Sequence, residues 1–204
     1  MSRHGLTPRD LGLGPLGDWI EGFRAATSLA DVEALCRRHG QALGFEHFVF
    51  AMRVPTRFAQ ARLLMIDGYP PGWVEHYFRQ GYASHDPVMA FCSTHVVPVA
   101  WNALCLERNA YGAQVMGEAG EHGLRDGVSV AVHSPQGEMS VLSFALSKPA
   151  AEARDLVAQA LAQVQLLSAH VHETVRRVTG LSRQDPEVGL TPREADCLRW
   201  AADG

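Results

Sequence analysis

The sequence predicts an α+β domain, an α/β/α sandwich whose five-stranded, mainly antiparallel sheet is flanked by helices. Three observations lead there. Helical apolar periodicity opens the chain, from Leu16 to Leu43. Short β-rich runs bounded by turn signals recur between Phe48 and Ser147, interrupted by short helical stretches. A single long amphipathic stripe then occupies residues 150–178. A sheet with one buried face needs one layer of helices, and this pattern supplies enough for both faces.

In chain order, residues 1–14 are broken by Gly, Pro and charge and read as an N-terminal arm. From Leu16, Trp19, Ile20 and Phe23 share one side of a first helix. Ser28 with Asp31 forms a capping-box start for a second, whose apolar face is Leu29, Val32, Leu35, Cys36 and Leu43 and which Gly44 can end. Phe48, Phe50 and Met52 alternate with Val49 and Ala51 in a first strand, and residues 61–67 form a second. Tyr69-Pro70-Pro71 opens a short helix running to Gln80, stopped by Gly81. Asp86-Pro87 repeats the device, an N-cap followed by a first-turn proline. Val96–Trp101 is a third β-run, and its Pro98 assigns it to a sheet edge. A helix over Ala110–His122 precedes a hairpin over residues 128–147 with a Pro-Gln-Gly-Glu turn. The long helix carries Leu156, Val157, Leu161, Val164, Leu167, Val171 and Val175 on one stripe. Its apolar width, with Leu166 alongside, predicts a surface for a second copy of the chain, a homodimer. Residues 179–189 are polar with Gly and Pro and read as a linker. Residues 190–204 start another helix, with Thr191 as N-cap, Pro192 in the first position and Glu194 closing the box.

Composition narrows the function. Apolar residues make up 47% of the 204, sufficient for a substantial core. With 22 acidic and 18 basic residues the net charge is −4, which argues against this stretch holding nucleic acid by itself. No apolar run reaches the length of a membrane span. The four cysteines form no CxxC pair and read as reduced thiols of a cytoplasmic protein. Ten histidines show no HExxH or other ligand spacing, so no metal and no cofactor is expected. Gly127-Val-Ser129-Val-Ala131 lacks the second glycine of a nucleophile elbow, and no enzyme is expected.

Two segments carry a resemblance. One is Tyr69-Pro-Pro-Gly-Trp73-Val-Glu-His-Tyr77 with Gly81-Tyr82, Asp86-Pro87 and Trp101; the other is LTPREADCLRWAADG at the C-terminus. In this order and at these spacings they resemble the LuxR family of quorum-sensing transcription factors. The resemblance implies a PAS/GAF-like autoinducer-binding domain over residues 15–178, followed by the opening of a helix-turn-helix domain. It implies a small-molecule autoinducer, an N-acyl homoserine lactone, held between sheet and helices, and dimeric DNA binding by the full-length protein. The recognition helix of that family lies beyond the position of Gly204. A shorter relative that heterodimerises with a full-length regulator is therefore an alternative reading, and a lactone-processing enzyme a third.

Such a ligand needs a dry cavity for its tail and paired polar groups for its head. Trp73 and Tyr77, four residues apart, share one helical face. On spacing alone they read as core aromatics; the resemblance makes the Trp73 N–H a donor to the lactone carbonyl and lays Tyr77 along the acyl chain. Asp86 suits two roles, capping the Pro87 helix and accepting the ligand's amide N–H. The resemblance places the hydroxyls of Tyr69 and Ser143 at the amide carbonyl, Ser129 toward the head group, and Trp101 and Val88 near the ring. Pro87 and Gly127 are structural positions, Gly127 supplying clearance or an unusual backbone conformation. Phe50, Leu63, Met65, Ala131 and Val141 are the expected tail wall, although a one-residue slip in register would invert that choice.

Overall fold

The computed structural model describes residues 15–55, 61–106, 109–181 and 191–202. Helices α1 (Pro15–Ala25) and α2 (Leu29–Ala42) lead into β1 (His47–Val54) and β2 (Arg62–Gly68). Next come α3 (Trp73–Arg79), α4 (Pro87–Cys92), β3 (Val99–Ala100), α5 (Ala110–Glu121), β4 (Asp126–His133), β5 (Met139–Leu146), α6 (Ala150–Val178) and α7 (Pro192–Ala202). The five strands form one sheet in the order β2-β1-β5-β4-β3, and every pairing is antiparallel. The expected arm (1–14) and most of the expected linker (179–189) lie outside the described residues.

Local chemistry accounts for most element boundaries. Ser28 accepts from the Asp31 N–H while Asp31 accepts from the Ser28 N–H, the capping box that starts α2. The Thr191–Glu194 pair does the same for α7. Asn109 caps α5 by accepting from the Gly112 N–H at 2.8 Å. Gly81, with φ of 68°, takes the left-handed conformation that ends the α3 turn. The third β-run is shorter than expected. Only Val99 and Ala100 pair with β4, and Trp101–Ala103 turn into a 3-10 helix. Val96 and Val97 are exposed; Pro98 has no N–H to extend the ladder, so pairing begins after it. The run does lie at the sheet edge.

Register sorts the side chains into two sets. Phe50 pairs with Ile66 and Leu142, which pairs with Val130; Phe48 pairs with Phe144, which pairs with Val128. These large side chains form the main core with Phe23, Val32 and Cys36, and with Val157, Val164, Leu167, Val171 and Val175 of α6. The other set is small. Val49 pairs with Ser143, which pairs with Ser129; Ala51 pairs with Val141, which pairs with Ala131; Ala145 pairs with Gly127. It faces a second cluster containing Trp73, Tyr82, Val88, Trp101, Val115 and Leu124.

The α6 stripe is taken up by the sheet: Leu167, Val171 and Val175 are at most 2% exposed. Leu156 and Leu161 of the stripe, and Leu166 beside it, are only half-buried. The exposed side of α6 carries Ala158, Gln159, Ala162 and Ala169.

Candidate ligand-binding site

A cavity of about 120 Å³ lies between the small-residue face and helices α3, α4 and α5. The sheet contributes Val49, Ala51, Met65, Val141 and Ser143; α3 contributes Trp73, Val74, Tyr77 and Phe78. Val88 and Met89 come from α4, and Val115, Met116 and Ala119 from α5. Tyr69, Asp86, Trp101 and Leu124 complete the lining. Most of this wall is apolar, with its polar groups gathered on six residues: Tyr69, Trp73, Tyr77, Asp86, Trp101 and Ser143.

Asp86 is the only charged side chain in the lining. Its Oδ1 accepts from the Val88 N–H at 2.7 Å, capping α4, and its Oδ2 accepts from the Tyr77 hydroxyl at 2.9 Å. Burial raises its pKa, and the bonds from Tyr77, Val88 and Met89 work against that rise. Oδ1 also accepts from the Met89 N–H at 3.4 Å, while Oδ2 keeps a further lone pair, so the capping and ligand-accepting roles are compatible. Pro87 sits at the first position of α4, where its missing N–H costs nothing. The Tyr77 phenol is raised by burial and then by Asp86, and remains a donor.

Trp73 is 4% exposed, packs against Tyr77, Tyr82 and His122, and has no hydrogen-bond partner among the described residues for its indole N–H. Trp101, in contrast, is paired. Its Nε1 donates to Ser129 Oγ at 2.8 Å, and Ser129 lies 2.7 Å from Ser143 Oγ. Ser143 lines the cavity beside the Tyr69 phenol, whose pKa burial raises. Tyr69, Trp73, Tyr77, Asp86, Val88, Trp101 and Ser143 thus share one cavity. Ser129 does not line it; fully buried, it stands behind Ser143. Gly127 has no positive φ, so its role is clearance. A Cβ there would meet the Phe144 carbonyl oxygen at 2.4 Å and the Trp101 ring at 3.1 Å.

Of the expected tail wall, Met65 and Val141 line the cavity and Ala131 is buried on the same face outside the lining. Leu63 is half exposed at 49%. Phe50 is a correction, since it points to the opposite face among the helix-packed core. The small residues Val49 and Ala51 take the place it was expected to fill. The alternation in β1 was legible in the sequence; which side held the space was not. The helix residues Val115 and Ala119, at i and i+4, were a readable signal that the sequence analysis missed.

Two further polar clusters lie outside the cavity lining, one beside it and one on the other face of the sheet. His76 donates to Glu118 at 2.6 Å, joining α3 to α5 behind Trp73, and Gln114 also donates to Glu118 at 2.9 Å. Bonds from Tyr82, Gln114 and His76 hold the Glu118 carboxyl down at about 2. On the opposite face of the sheet, Ser140 Oγ is 2.7 Å from His172 Nδ1, and Glu138 pairs with Arg176 at 2.8 Å. Ser, His and Glu are triad residue types, but all three are buried, away from the cavity. They tie the β4–β5 turn to α6. Among the described residues no group of three or more His, Cys, Asp or Glu side chains is arranged to hold a metal, and no helix is long and apolar enough to cross a membrane.

The autoinducer-binding domain family matches residues 28–175, which takes in every cavity-lining residue. The chain belongs to the LuxR family. It is an autoinducer-binding domain of LuxR-type quorum-sensing transcriptional regulators. It is 28% identical to the transcriptional activator AhyR of Aeromonas hydrophila, over 92% of this chain and 73% of that protein. It is 31% identical to the quorum-sensing-dependent regulator RpaR of Rhodopseudomonas palustris, over the same shares of each. LuxR members also share the fold. Escherichia coli SdiA superposes with a TM-score of 0.71 at 22% identity, over 95% of this chain and 79% of that one. Burkholderia cenocepacia CepR2 gives 0.68 at 22% identity, over 82% and 97%. AhyR, RpaR and CepR2 are transcriptional regulators, not enzymes.

Proposed function

We propose that the cavity binds an N-acyl homoserine lactone. The observation that carries this reading is the pairing of polar complements inside an apolar space. Asp86 offers a buried acceptor, Trp73 offers an N–H without an internal partner, and Tyr69 with Ser143 offers hydroxyls between them. An amide N–H, a lactone carbonyl and an amide carbonyl match these in turn, with the acyl tail against Ala51, Met65 and Val141. Val88 and Trp101 flank the ring. Tyr77 serves through Asp86, whose carboxylate it orients. CepR2 is described as N-acylhomoserine lactone dependent, which supports the class; SdiA has been solved with octanoyl-rac-glycerol, which defines the competitor.

In this reading the full-length protein is a cytoplasmic, homodimeric regulator that binds DNA through the helix-turn-helix domain begun by α7. Support for the dimer comes from the family; on α6, Leu167, Val171 and Val175 are buried while Leu156, Leu161 and Leu166 are half-buried. Thermal shift with lactones of increasing chain length, beside octanoyl-rac-glycerol, tests the ligand. A lactone should raise the melting temperature most, as mass action on the folded state requires. A larger shift with the glycerol ester, which has no amide N–H for Asp86, would reject the proposal. Light scattering on the lactone-bound protein tests the dimer.

A further inference from the structure

Ser129 is fully buried, and its hydroxyl has two partners among the described residues, the Trp101 indole and the Ser143 hydroxyl. An indole N–H is a donor and cannot accept. The Ser129 proton therefore has one acceptor available, Ser143 Oγ. Having accepted that bond, Ser143 directs its own proton away from Ser129, toward the cavity that it lines together with Tyr69. Burial keeps the Tyr69 phenol protonated, so it donates in turn. Direction passes from Trp101 through Ser129 and Ser143 toward the guest, and successive bonds in such a chain polarise one another.

We propose that Trp101 and Ser129 are positioning residues that fix the polarity of this relay, so that the cavity wall at Ser143 and Tyr69 presents protons and selects guests with a strong acceptor there. This rests on the lactone reading above and adds to it a reason why Ser129, which does not line the cavity, governs which guest is held. Without the Ser129 hydroxyl, Ser143 Oγ loses its donor and is free to accept from Tyr69. The Tyr69 proton is then turned away from the guest.

The test compares N-octanoyl homoserine lactone with its thioamide counterpart, in which sulfur, a weak acceptor, replaces the amide oxygen. Calorimetry should show the wild-type domain favouring the amide. Ser129→Ala and Trp101→Phe should each cut that preference by about threefold to tenfold, the worth of one neutral hydrogen bond. Ser129→Thr, which keeps the hydroxyl, should retain it, and Val141→Ala should weaken both ligands alike. If Ser129→Ala does not fold, Ser129→Cys with its weak S–H donor takes its place beside Trp101→Phe. An unchanged amide-to-thioamide ratio in the Ser129 and Trp101 variants overturns the relay, whatever happens to absolute affinity. If the wild-type domain binds neither compound, the lactone reading itself fails.

Discussion

The two faces of the sheet are built from the same strands yet follow opposite rules. One face presents Phe48, Phe50, Met52, Leu142 and Phe144 to α2 and α6, with these side chains at most 2% exposed. The other presents Val49, Ala51, Gly127, Ser129, Val141 and Ser143, and the space its small side chains leave is the cavity. The first face is where stability is concentrated, because large apolar side chains removed from water carry most of it. The second gives up that stabilisation to hold a guest. Binding specificity and fold are thereby written on alternate residues of single strands, so each can change with little effect on the other.

The largest effect that would break this division is on the packed face. Phe144→Ala should cost about 3–5 kcal/mol of stability, since the ring contacts Phe45 and Phe48 and has no solvent exposure to lose. Denaturant unfolding measures it, while lactone affinity per folded molecule should change little. A matching loss of affinity would mean that the faces are not independent.

Next is Asp86→Asn, which should weaken lactone binding by about 1.5–3 kcal/mol, against about 0.5–1.5 for Ser143→Ala, because Asp86 accepts as an ion. Calorimetry on both variants ranks them, and a larger loss at Ser143 would contradict the assignment of Asp86 to the amide. The Asp86 cap on α4 makes far-ultraviolet dichroism a necessary control.

Acidity should separate the faces by sign. His39, buried on the helix side against Trp19 and Phe23, has no hydrogen-bond partner for either ring nitrogen among the described residues, and burial pushes its pKa down to about 4. The unfolded chain, with an ordinary value near 6.5, then binds the extra proton. Stability is present above about 6.5 and is lost as pH falls toward 4, by about 2 kcal/mol between pH 7 and 5. His39→Phe should remove this dependence in thermal melts. Asp86 has the opposite sign. Its raised pKa makes the charged form costly, a cost relieved as pH falls through its folded value toward the ordinary 3.8. Lactone affinity should fall over that same range as the acceptor is protonated; affinity that is flat there would argue against an ionised Asp86 in the complex.

The smallest effect sharpens the comparison. At about 24 cal/mol per Å³, the 120 Å³ cavity amounts to about 3 kcal/mol of unrealised packing. Ala51→Leu should recover part of it, raising unliganded stability by about 1–2 kcal/mol while weakening long-chain lactones more than short ones. Destabilisation by this variant would show that the wall cannot accept a larger side chain.

Much of this was legible in the sequence. Capping chemistry placed α2, α4 and α7, the stripe from Val157 to Val175 placed α6, and the family pattern gathered Trp73, Tyr77, Asp86 and Trp101 before any geometry was known. What stayed hidden depended on sidedness. Phe50 and Ala51 are adjacent and both apolar, and only pairing with Leu142 and Val141 decides which one faces the space. The same limit applies to α6, where an apolar stripe says that a surface is buried but not by what.

One feature of the helix layer concerns the order in which the molecule is made. The last carbonyls of α1 are not satisfied locally. Thr174 donates to Phe23 O, and Arg177 donates to Phe23 O and Ala26 O, across 151 to 154 residues of chain. At about 5–20 residues per second, a ribosome needs roughly 8–30 s to reach these partners after completing α1. Through that interval strands β1, β2, β4 and β5 can pair, but the aromatic side of the sheet has no α6 to cover it. The nascent domain thus shows its stickiest surface until after its whole sheet has been synthesised, while every residue lining the pocket is already available to a small molecule.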